Sequence, residues 1–84
     1  MAAFAVLGPP DNQLLKGAIE RNFPRRFFIA PGQWVVAETG LTAQQVSERI
    51  GLNGSAGKFV VFSSAGHFGY HDKNLWEWLT LNSG

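Results

Sequence analysis

The chain has 84 residues, of which 45% are hydrophobic and 15% charged, with seven Phe and three Trp. That is enough apolar material for one packed core, too little chain for a second domain, and not the composition of a disordered segment. Seven Lys and Arg against six Asp and Glu leave a formal charge of +1, far from the basic excess of a dedicated nucleic-acid binder, and the lack of any Cys excludes disulfides, thiolate zinc sites and a cysteine nucleophile.

The run Ala3-Phe4-Ala5-Val6-Leu7 reads as a first strand, stopped by Gly8-Pro9-Pro10. The apolar start at Ala2 has no basic leader and is too short for a signal peptide or membrane span, so a cytoplasmic protein is expected. Asp11 is placed to cap a helix whose stripe holds Leu14, Leu15, Ala18, Ile19 and Phe23, with Pro24 closing it. Gly17 weakens that helix slightly.

Arg26-Phe27-Phe28-Ile29-Ala30 and Gln33-Trp34-Val35-Val36-Ala37-Glu38 are β-rich runs on either side of Pro31-Gly32, and predict a hairpin. Thr42 and Gln45 have capping-box spacing, Leu41 and Val46 that of a hydrophobic staple, and Gly51 is positioned as a left-handed stop. This second helix is expected to bury Val46 and Ile50, with Leu52 folding back. After the loop 53–57, Lys58-Phe59-Val60-Val61-Phe62 reads as a strand buried on both faces. A Gly- and aromatic-containing loop, Ser63 to His71, then leads to a short terminal helix, Lys73 to Leu79, capped by Asp72.

The order predicts an α+β fold: a ferredoxin-like βαββαβ two-layer sandwich with an antiparallel sheet, both helices on one face, and a short C-terminal helix, in a single domain over residues 1–84. The first, third and fourth strands are apolar at both alternating sets of positions, so the second face of the sheet needs a cover. That cover is expected to be either the segment with Trp76 and Trp78 or a second copy of the chain.

Chemistry-bearing residues concentrate in Ser63-Ser64-Ala65-Gly66-His67-Phe68-Gly69-Tyr70-His71-Asp72. His67 and His71 would suit a metal if the segment were helical, but Gly66 and Gly69 oppose a helix. Ser64, His67 and Asp72 have the composition of a triad without a nucleophile elbow, and no phosphate-binding glycine motif is present. The alternative is purely structural, with Phe68 and Tyr70 packing on the core. Arg21, Arg25 and Arg26 form a basic patch interleaved with Phe23, Phe27 and Phe28; it can grip phosphates, or simply complement a helix C-terminus. At least one of Trp76 and Trp78 is expected to point away from the core stripe and to serve as a contact residue.

Across Gln33 to Leu79, the pattern Gln33-Trp34-Val35-Val36, Thr42-Ala43-Gln44-Gln45-Val46, Phe59-Val60-Val61-Phe62 and Leu75-Trp76-Glu77-Trp78-Leu79 resembles small bacterial SinR-like proteins. Their relatives include CRISPR-associated small nucleases of ferredoxin-like fold. The resemblance implies a homodimer and, for a nuclease, an acidic residue at the end of the first strand. This chain has Leu7-Gly8-Pro9-Pro10 there, with Asp11 following.

The expectation is therefore a non-enzymatic binding or regulatory module, such as an inhibitor or accessory protein. It would act through an aromatic, apolar surface on a protein partner or a second copy, without membrane, metal or cofactor. Its candidate binding residues are Arg21, Arg25, Arg26, His67, Tyr70, His71, Trp76 and Trp78. The alternatives are a metal-dependent nuclease built around Asp11 or the His67 to Asp72 loop, and a nucleic-acid binder using the arginine patch.

Overall fold

The structure, a computed structural model, describes residues 2–64 and 73–82. Its elements run β1 (Ala2–Leu7), α1 (Gln13–Asn22), β2 (Arg26–Ala30), β3 (Gln33–Glu38), α2 (Ala43–Ile50), β4 (Val60–Ser64) and α3 (Lys73–Asn82). The four strands form one antiparallel sheet in the order β2-β3-β1-β4. The hairpin and the capping box stand where the residue pattern places them.

Helix α1 is capped one residue later than expected. Asn12, not Asp11, is the N-cap, and its Oδ1 accepts the Leu15 amide at 3.1 Å. Leu15, Ala18, Ile19 and Phe23 are buried, but Leu14 turns out to solvent. At the other end the Arg26 guanidinium donates through Nη1 to the Phe23 carbonyl at 2.9 Å and to the Glu20 carbonyl at 3.5 Å. A cation thus satisfies the last carbonyls of the helix.

The β2–β3 turn depends on Gly32, which takes φ +79° and whose carbonyl accepts the Gly8 amide at 2.8 Å. This bond pins the hairpin to the end of β1. In α2 the Thr42 hydroxyl accepts the Gln45 amide, and the Gln45 side chain accepts the Thr42 amide at 2.9 Å. Leu41 packs on the cluster that holds Val46, as a staple requires.

Gly51 differs from expectation: its φ is −177°, so it ends α2 in extended rather than left-handed backbone. A Cβ there would stand 2.8 Å from the Ala56 Cβ. Glycine is required at this point by close approach, and Leu52, which was expected to fold back, is exposed. The buried residue of the following loop is Ala56.

Alternation along the strands sorts the side chains into two cores. On one face Phe4, Val6, Trp34 and Val36 pack with Leu15, Ala18 and Ile19 of α1 and with Val46 and Ile50 of α2. On the other, Ala3 and Val35 pack with Leu75 and Leu79 of α3, joined by Phe27, Ile29 and Trp78. The C-terminal helix therefore covers part of the second face, adding a layer to the expected two.

Candidate functional site

What α3 leaves uncovered is set by where it sits. It contacts Ala3, Val35, Phe27 and Ile29, which belong to β1, β3 and β2. On the same face Leu7 lies opposite Val60, and Ala5 opposite Phe62, across the β1–β4 ladder. Side chains directly opposite in an antiparallel pair share a face, so Leu7, Val60 and Phe62 form one apolar strip beside the helix. Val60 is 45% and Phe62 55% exposed, and Leu7 is also open to solvent. The sequence expectation of a β4 buried on both faces is corrected here. Among the described residues β4 has a strand neighbour on one side only, and Val60 and Phe62 are left half open.

The two edges of the sheet differ in chemistry. β2 begins at Arg26 after Pro24 and Arg25, carries a register shift between Phe28 and Ala30, and is followed by Pro31. Charge, proline and bulge are the devices that keep an edge strand from pairing with another chain. β4 has none of them: from Phe59 to Ser64 the chain contains no charge and no proline, and its ladder with β1 runs in unbroken register. Among the described residues one edge carries these devices and the other does not.

The remaining candidate residues are scattered. Arg21 and Arg25 are exposed, and Arg26 is turned onto the α1 carbonyls rather than held out with them. Trp78 is half-buried, its ring centroid 6.1 Å from that of Phe27, as part of the cover over the second face. Asp11 is exposed at the surface. Among the described residues no group of three or more His, Cys, Asp or Glu side chains could hold a metal ion. His67, Tyr70, His71 and the cap assigned to Asp72 lie outside the described residues, as does the side chain of Trp76.

Residue patterning missed the exposure of Val60 and Phe62, because an apolar run reads the same whether its strand is central or at an edge. The usable signal was the length of the run without a charge or proline. No helix among the described residues is long and apolar enough to cross a membrane. The fold and these surfaces define a small α+β protein with a four-stranded antiparallel sheet. No family model, curated protein or solved structure matches the chain.

Proposed function

We propose that this protein is a binding module that acts through the unguarded β4 edge and the apolar strip beside it, and that it pairs there with a second copy of itself. The observation that carries this reading is the asymmetry of the sheet: β2 carries Arg26, a bulge and flanking prolines, whereas β4 holds no charge, proline or register shift. An antiparallel pairing of two β4 strands about a two-fold axis at Val61 sets Val60 of each copy opposite Phe62 of the other. All four side chains then share the face of Leu7. Aromatic and β-branched pairs are favourable in such positions, and a two-fold contact needs only one self-complementary surface. The strip is smaller than a stable interface, so association on the order of tens of micromolar is expected.

The strand order, read from the other edge as β4-β1-β3-β2, with α1 and α2 on one face, supports a ferredoxin-like βαββαβ arrangement carrying α3 as an addition on the second face. A SinR-like relationship, in which a homodimer is the expected state, agrees with that arrangement. A regulatory or accessory role fits a module whose working surface is a strand edge open to another chain.

The test is solution mass by sedimentation over a concentration series. Wild type is expected to approach twice the chain mass, while Val60→Lys and Phe62→Lys stay monomeric with unchanged thermal midpoints, because both positions face solvent in the single chain. A wild type that stays monomeric throughout, or a Val60→Lys/Phe62→Lys double variant that still doubles, overturns the reading.

A further inference from the structure

A second surface lies on the opposite face of the sheet, between α1 and the β2–β3 hairpin. Two adjoining cavities of about 190 and 360 Å³ share Lys16, Phe28 and Trp34, and together make one cleft. Pro10 and Pro31 line one end, and Glu20 and Arg26 the other. Gln13, Lys16 and Glu20 follow one another along α1 at helical spacing and form one wall.

The floor is aromatic and fixed. Trp34 is only 5% exposed, and Phe28 meets it edge to face, with ring centroids 5.0 Å apart. Phe28 itself is 51% exposed, so half of its surface remains for another ring. The register places Phe28 directly opposite Trp34, which holds the pair on the sheet rather than on a loop.

Of the charged groups lining the cleft, two are cations, Lys16 and Arg26. The Lys16 ammonium has no ion pair or hydrogen bond among the described residues, although Lys16 lines both cavities. Arg26 is held in place by its two Nη1 contacts to the Phe23 and Glu20 carbonyls, and its Nε and Nη2 make no hydrogen bond among the described residues. Glu20 is the one opposing charge lining the cleft, confined to the Arg26 end. Asn12 is already committed to Leu15, Ala56 and Lys58.

We propose that this cleft binds a small ligand that joins a planar aromatic ring to an anionic group, of the aryl phosphate or aryl carboxylate class. The ring stacks on Phe28 over Trp34, between the prolines and the α1 wall, and the anion lies at Lys16 on the side away from Glu20. The combined space is in the range of small-molecule sites, roughly 300–1,000 Å³, and the polar anchors are few, as such sites require. A charge-assisted contact supplies the orientation and the aromatic pair supplies the apolar area.

Naphthyl phosphate is a suitable probe, titrated into the full chain and followed by proton–nitrogen correlation spectra. Saturable shifts are expected at Lys16, Phe28 and the Trp34 indole N–H, with naphthol and inorganic phosphate each binding at least about tenfold more weakly. Lys16→Gln, at an exposed position, should weaken the probe by about tenfold while thermal unfolding is unchanged, and Phe28→Leu should weaken it about as much. Shifts confined to other surfaces, or naphthol binding as well as its phosphate, overturn the proposal. So does a Lys16→Gln variant with wild-type affinity. The cleft and the β4 strip lie on opposite faces, so the result is independent of whether the chain dimerises.

Discussion

Asn12 donates through Nδ2 to the carbonyl of Ala56 at 2.8 Å while its Oδ1 accepts the Leu15 amide. One side chain therefore caps α1 and ties it to the loop after α2, 44 residues along the chain. Gly57 leaves room for this: a Cβ there would stand 2.9 Å from Asn12 Nδ2. Removing both contacts by Asn12→Ala is expected to cost about 2 kcal/mol, the sum of a cap and a hydrogen bond. Asn12→Ser keeps the cap and loses the bridge, and should fall about halfway. Urea unfolding checks both, and a serine variant as stable as wild type would mean the bridge contributes nothing.

Gly32 and Gly40 have nearly the same backbone, φ +79° and +77°, in different surroundings. A Cβ on Gly40 meets nothing within 4 Å, whereas one on Gly32 would lie 2.3 Å from the Gly8 carbonyl oxygen. Gly40→Ala should cost only the left-handed penalty, about 1–2 kcal/mol. Gly32→Ala must also move the hairpin away from β1 and should cost at least about 3 kcal/mol. Equal losses in parallel denaturant curves would contradict the close approach of these two turns.

Helix α3 holds the second core through Leu75 and Leu79, while Leu81 is 83% exposed. Leu79→Ala is expected to lose about 2–3 kcal/mol, and Leu81→Ala less than about 0.5 kcal/mol. Thermal melts of the pair report directly on whether α3 is seated on the sheet. A Leu79→Ala variant with the wild-type midpoint would place the helix elsewhere.

The Arg49–Glu38 ion pair, at 3.4 Å, links α2 to the end of β3 with both side chains partly in water. Solvent screens it, so Glu38→Gln should change stability by less than about 0.5 kcal/mol, and added salt should erase the difference. A loss above about 1 kcal/mol would show that Glu38 does more than its pairing implies.

The residues alone determined much of this protein. The hairpin of β2 and β3, the capping box at Thr42 and Gln45, and the buried stripe Leu15, Ala18, Ile19 and Phe23 follow from spacing and turn chemistry, which are local and need no partner. Apolar positions on both sides of the first, third and fourth strands also called for a cover over the second face, and α3 is one. Local rules did less well at the helix ends: Asn12, and not Asp11, is the cap, and its amide, unlike a carboxylate, both accepts from Leu15 and donates to a distant carbonyl.

Only the tertiary structure decided how far that cover reaches. α3 sits toward β2 and β3, so Leu7, Val60 and Phe62 stay at the surface although their sequence reads as core. The same assembly brought Lys16 from one helix to Phe28 and Trp34 from the hairpin, residues with no common motif. Strand order and helix placement are long-range choices, fixed by which faces meet, and no run of neighbouring residues encodes them.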